Sequence, residues 1–187
     1  MTRPANNLVY LDTEFTNLDP RLGDVIEVGW LVGDDPEVNT ILLPHSLVHA
    51  TPEALVVNRY YERGLDQYAT TVPANTAALT SGLVAALTGS TIVAENYGID
   101  CAKLLTLLGF EPWHYRKIEV SSVAMTVFDL DRPEGLAATA ARLRNLGFEV
   151  GEGDHSAGGD AYCLRECYRA LRRIRRDGDL RLGEHAA

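Results

Sequence analysis

Two rhythms of apolar and polar residues run through this chain, one of period two near its start and a helical one beyond it. Leu8-Val-Tyr-Leu-Asp12-Thr-Glu14-Phe15 is a short apolar run that reads as a strand buried on both faces. A turn-rich stretch, Asn17 to Gly23, leads into Asp24–Val32, a second strand with Val25, Glu27 and Gly29 on one face and Ile26, Val28 and Trp30 on the other. Gly33-Asp-Asp-Pro36 marks a tight turn into a third strand over roughly Val38 to Leu43. Three strands joined this closely predict an antiparallel meander.

Helical spacing then takes over. Pro44 to Tyr68 reads as short helices and a loop, and Thr51-Pro-Glu-Ala is a helix start with proline at its first position. Pro73 to Leu87 predicts an amphipathic helix interrupted by Gly82. Thr91–Ala94 is a short buried strand, followed by a helix from about Ile99 to Leu108 that Gly109 ends. Lys117–Ser122 reads as a fifth strand and Leu136–Leu146 as a helix stopped by Gly147. Gly151-Glu-Gly-Asp-His155 is a loop with two glycines. The final helix is expected over Ala157 to Arg175, with a polar, frayed tail after Gly178. A meander followed by alternating helix and strand is an α/β domain with a mixed central sheet, its strand-borne carboxylates facing the later helices.

Composition narrows the class. With 187 residues, 46% of them apolar and 23% charged, the chain reads as one domain over 1–177 with a flexible tail over 178–187. It has no apolar run of membrane-spanning length, and Met1-Thr-Arg-Pro lacks the apolar core of a secretory signal. Cys101, Cys163 and Cys167 lack metal-site or CxxC spacing and read as idle thiols in a reducing cytoplasm. A net charge of −9 argues against a protein that coats nucleic acid nonspecifically. An enzyme acting on nucleic acid stays open, because it needs only a local basic track. Arg165, Arg169, Arg172 and Arg176 share one helix face and offer that track; they read equally as a solvated helix end.

Three places carry candidate chemistry. Asp12 and Glu14, two apart on a strand, leave the same face. Two like charges at the end of a buried strand repel unless a cation lies between them, and a hard divalent ion suits oxygen ligands. The same pair also reads as ordinary surface acids. Glu95-Asn-Tyr-Gly-Ile-Asp100 sets Asp100 in the first turn of a helix, where an acid complements the macrodipole. His155-Ser-Ala-Gly-Gly-Asp160 passes from the glycine loop into the last helix. His155 by itself reads as an exposed loop residue, and Asp160 as another first-turn acid. Gly158-Gly159 costs roughly 1 kcal/mol per glycine against alanine in a helix, so the pair points to a close approach of backbone or ligand there.

Taken together, these motifs resemble the DEDDh family of 3′-to-5′ exonucleases, which includes the proofreading subunit of bacterial DNA polymerase III, oligoribonuclease and RNase T. The family's Asp-x-Glu matches Asp12 and Glu14, and its Asn-x-x-(Phe/Ile)-Asp matches Asn96, Ile99 and Asp100. Its His-x-Ala-x-x-Asp-Ala matches His155, Ala157, Asp160 and Ala161. The resemblance runs from Leu8 to about Ala170. It departs at Glu95, where many relatives carry histidine, and at Gly158-Gly159, where many carry leucine.

The resemblance implies a ribonuclease H-like fold: a mixed five-stranded sheet, three strands antiparallel and the rest parallel, flanked by helices. It implies hydrolysis at the 3′ end of single-stranded DNA or RNA with two Mg²⁺ or Mn²⁺ ions, about 4 Å apart as in other two-metal sites. Asp12, Glu14, Asp100 and Asp160 would be the ligands and His155 the general base. Backbone at Thr13, the Phe15 ring and Asn96 would hold the terminal nucleotide. Phe15 reads equally as core, and Tyr60 and Tyr61 as packing residues before stacking ones. A homodimer or association with a polymerase stays open. So do two other readings: a metal-dependent phosphohydrolase acting on small phosphoesters, and a non-catalytic accessory or binding module of the same fold.

Overall fold

The computed structural model describes residues 7–72 and 75–184, with residues 179–184 described by their backbone alone. Five strands form one sheet: β1 (Leu8–Phe15), β2 (Val25–Val32), β3 (Asn39–Leu42), β4 (Thr91–Ala94) and β5 (Ile118–Glu119). Their order across the sheet is β3-β2-β1-β4-β5. The first three pair antiparallel, and β4 and β5 add on parallel to β1. The helices are α1 (Pro52–Val57), α2 (Ala77–Leu87), α3 (Tyr97–Leu108), α4 (Val120–Phe128), α5 (Leu136–Asn145) and α6 (Ala157–Glu184), with a 3₁₀ turn at Leu65–Tyr68. Thr51 caps α1 as expected, its Oγ1 accepting from Ala54 N at 3.3 Å.

Each face of the sheet carries its own core. Tyr10, Leu31 and Val93 pack on one side against α4, α5 and α6 through Val120, Leu143, Leu164 and Leu171. Val9, Leu11, Val28, Trp30 and Ile92 pack on the other against α2 and α3 through Leu83, Leu87 and Leu104. Even-numbered residues of β1 therefore face α6, and odd-numbered ones face α3. This alternation decides which helix can reach which catalytic candidate.

Close backbone approach seats α6. Gly29 of β2 pairs with Asp12 across the ladder, and a Cβ there would lie 2.1 Å from the Ala157 carbonyl carbon. A Cβ on Gly158 would lie 2.5 Å from Thr40 Oγ1 of β3. The helix thus starts in contact with the sheet, which is the close approach that the glycine pair pointed to.

Four expectations need correction. Only Ile118 and Glu119 pair with β4, and Val120 to Ser122 of the expected fifth strand open α4. Val120, Val123, Ala124 and Val127 recur at helical steps and pack towards the α6 side, a pattern hidden by the strand-like alternation of Ile118 and Val120 with polar neighbours. Gly82 does not interrupt α2, which runs through it with open space at the glycine; the expected start at Pro73 and Ala74 lies outside the described residues. A bulge between Glu14 and Phe15 shifts the register so that Phe15 pairs with Val25, which joins the α2–α3 core instead of sharing a face with Glu27. Finally, α6 continues to Glu184, well past Arg175.

The three cysteines are free and buried. No helix among the described residues is long and apolar enough to cross a membrane.

Candidate metal centre and its surroundings

β1 outruns its parallel neighbour. The β1–β4 pairing ends at Tyr10 and Val93, so Asp12 to Phe15 lie beyond the carboxyl end of β4, where ligand sites of α/β sheets form. Asp12 and Glu14 point to the α6 side. There Asp160, one turn into α6, meets them: one carboxylate oxygen from each of Asp12, Glu14 and Asp160 lies within 4.8 Å of the others. Asp100 arrives from the opposite layer. It sits in the first turn of α3, is 6% exposed, and accepts a 2.7 Å hydrogen bond from Thr13 Oγ1. Thr13 points away from Asp12 and Glu14, so one strand holds ligand candidates on one face and steadies another through the opposite face.

This concentration of acids is electrostatically unsatisfied. Burial pushes Asp12 well above the carboxylate range, and Asp100, Glu14 and Asp160 push it further. Glu14 is pushed up to about 8 by burial, then by Asp160 and Glu27. Asp100 is pushed up to about 7 by burial, against the hydrogen bond from Thr13. Burial also raises Asp160, while nearby His155 pulls it down. Asp160 Oδ1 is buried without a hydrogen-bond partner. An all-oxygen donor set with an orphaned carboxylate oxygen fits a hard divalent cation, which would supply the missing positive charge.

The loop before α6 folds over this cluster. A Cβ on Gly153 would come within 2.3 Å of Asp160 Oδ1, so a side chain there would displace the acid. His155 is exposed and has φ +59°, a left-handed conformation uncommon outside glycine.

The remaining candidates are distributed more loosely. Phe15 is half-buried, with Lys103 Nζ 5.2 Å from its ring centroid. Asn96 is exposed at the start of α3, and its carbonyl accepts from Ile99 and Asp100 N–H. Thr13 is buried, its hydroxyl committed to Asp100. Tyr60 belongs to the core and bonds His45 Nε2 through its hydroxyl at 2.7 Å; Tyr61, 67% exposed, stands edge-on to it. Glu95, the departure from the family pattern, has a buried Oε2 without a partner and is pushed up to about 7 by burial and by Glu119.

The arginine face of α6 is largely used within the protein. Arg165 is buried, donates to the Asp35 carbonyl at 2.5 Å and pairs with Glu166. Arg169 pairs with Asp34 at 2.6 Å and with Glu166 at 3.0 Å. Arg172 stacks over Tyr168. Two of the four arginines are thus committed to tying α6 to the turn after β2.

Two functional neighbours were not singled out from the sequence: Glu27, opposite Glu14 across the β1–β2 pair, and Arg63, which bonds it. The available signal was an acid inside the otherwise apolar Val25–Val32 strand, since a buried acid requires a partner.

The sheet order, the meander followed by parallel strands and the flanking helices define a ribonuclease H-like fold. Solved structures similar to this chain include exonucleases. The zinc-bound form of E. coli exonuclease I in complex with single-stranded DNA superposes with a TM-score of 0.62 at 16% identity, covering 91% of this chain and 41% of that one. A second exonuclease I structure gives 0.64 at 15%, covering 91% and 42%. Exonuclease X in complex with a 5′-overhanging duplex DNA gives 0.57 at 15%, covering 87% of this chain and 89% of that one. The chain therefore spans about two fifths of the exonuclease I chains and most of exonuclease X. No protein-family model matches the sequence, and no curated protein matches it significantly.

Proposed function

We propose that this chain is a metal-dependent 3′–5′ exonuclease that removes nucleotides from the 3′ end of single-stranded DNA or RNA, with residues 1–177 as its catalytic domain. The observation that carries the reading is the convergence of Asp12, Glu14 and Asp160 within 4.8 Å on a fold shared with exonucleases I and X. Asp100, which accepts a hydrogen bond from Thr13 and is not one of those three, would be the fourth acid.

Asp12, Glu14, Asp100 and Asp160 would hold two Mg²⁺ or Mn²⁺ ions. When bound, these supply Lewis acidity towards the scissile phosphate and its leaving oxygen. The chain's own residues do the rest. His155 takes the proton from the attacking water, a task suited to an imidazole on a loop beside the cluster. The Phe15 ring offers a sequence-tolerant stacking surface for the terminal base, with Asn96 and the Thr13 backbone as polar contacts to the terminal nucleotide.

The test uses 3′- and 5′-labelled single-stranded DNA and RNA oligonucleotides with Mg²⁺, Mn²⁺ or EDTA, alongside Asp160→Ala. A ladder shortening from the 3′ end that vanishes in EDTA and in the variant is expected. Intact oligonucleotides under every metal, with small phosphoesters cleaved instead, would replace this reading by the phosphohydrolase one.

A further inference from the structure

We infer that Arg63, held by Glu27, is the positioning residue that seats His155 over the carboxylate cluster; the function of that seating rests on the exonuclease reading above. Glu27 is a buried acid in β2, opposite Glu14 in the ladder. An acid so placed needs a countercharge, and Arg63 Nη2 supplies it at 2.5 Å from Glu27 Oε2, with the two side chains 18% and 5% exposed. The same guanidinium turns its other arm to the loop, where Nη1 donates to the His155 carbonyl at 2.7 Å and to the Asn58 carbonyl at 3.3 Å. Glu27 Oε2 also accepts from Ala157 N at 3.1 Å, the first amide of α6. One ion pair therefore grips the chain at His155 and again two residues later.

The grip matters because of the His155 backbone. A non-glycine residue in the left-handed region costs roughly 1 kcal/mol or more and persists where its surroundings enforce it. At fixed backbone angles the carbonyl and the Cα–Cβ bond are rigidly related, so holding the carbonyl aims the imidazole. The platform beneath is firm: Asn58, which shares Arg63, donates through Nδ2 to the Phe15 carbonyl at 3.1 Å, at the end of β1. The other side-chain bonds of this loop stay within it or reach its first two residues, Glu152 pairing with Arg144 at 3.3 Å. Asp154 accepts from Ser156, and Arg144 and Cys163 bond the Gly151 carbonyl. Arg63 is the side chain from outside the loop that bonds the His155 carbonyl. Lysine would keep the charge and lose the fork that spans Glu27 and His155.

A double-mutant cycle on the full chain separates aiming from general stability. Arg63→Ala is expected to lower kcat on labelled oligonucleotides by about 10²-fold with KM within about threefold, the scale of a misplaced catalytic group. In a His155→Ala background the same change should cost less than about threefold, because a residue acting through His155 has nothing left to aim. If Arg63→Ala does not fold, Arg63→Lys carries the cycle. Backbone hydrogen exchange over residues 152–158, read without metal or substrate, should quicken in Arg63→Lys. Equal kcat losses in both backgrounds, or unchanged exchange in this loop, overturn the inference. A wild-type protein that cuts neither polymer sinks the exonuclease reading instead, and the exchange measurement then decides the clamp by itself.

Discussion

Asp12 and Gly29 stand opposite each other in the β1–β2 ladder, and the missing side chain of one sets the surroundings of the other. Because Gly29 is bare, Ala157 rests on β2 and the next turn of α6 brings Asp160 to Asp12.

Gly29→Ala should therefore lift the start of α6. A destabilisation of about 1–3 kcal/mol is expected from the forced contact. The stabilisation conferred by Mn²⁺ should fall with it, since Asp160 moves off the other carboxylates. Thermal melts with and without Mn²⁺ check both effects, and an unchanged metal response would mean that the helix start does not set Asp160.

The carboxylates make a distinct prediction for stability against pH in EDTA. Glu14 goes from 4.5 to about 8 on folding, and Asp100 from 3.8 to about 7. Groups whose pKa rises on folding bind more protons in the native state, so stability is fullest below about pH 4 and is lost as pH climbs towards 8. Within the range where the chain stays folded, the melting temperature in EDTA should drop by about 5 °C or more between pH 5 and pH 8.5. Mn²⁺ should flatten that slope by replacing the protons. A melting temperature that rises across this interval in EDTA contradicts the crowding described here.

His155→Ala should retain the Mn²⁺-induced rise in melting temperature while losing turnover by about 10²–10⁴-fold, the range of general acid–base catalysis. Turnover at the wild-type level would remove the histidine from the mechanism.

Thr13→Val keeps the shape of the buried side chain and removes its hydroxyl from Asp100. A hydrogen bond to a charged group contributes about 1.5–3 kcal/mol, so Mn²⁺ affinity is expected to fall about tenfold. Titration calorimetry reads this directly, and undiminished affinity would show that Asp100 needs no such support.

The sequence displayed β1 and the helices that carry the candidate acids well, because Asp12, Glu14, Asp100 and Asp160 sit in patterns whose spacing survives in one dimension. It hid what depends on distant partners. Val120 opens a helix although Ile118 and Val120 alternate with polar neighbours as in a strand, since only pairing with β4 decides how long β5 runs. Arg165 and Arg169 looked like a free basic face until Asp34 and Asp35 came into reach from the turn after β2. Gly158 signalled a close contact without saying that the contact was β3. Arg63 carried no signal, because its meaning lies in Glu27 and a backbone carbonyl far along the chain.

The alternation of β1 has a consequence during synthesis. Asp12 waits on a strand made early, while Asp160 is made near the end and reaches it only once α6 docks. Asp100 must come from the other layer. No stretch of the nascent chain carries the four acids together, so under the proposed exonuclease reading a half-made or misfolded copy would lack the means to cut the nucleic acid around it. Competence arrives in one step, with the finished fold.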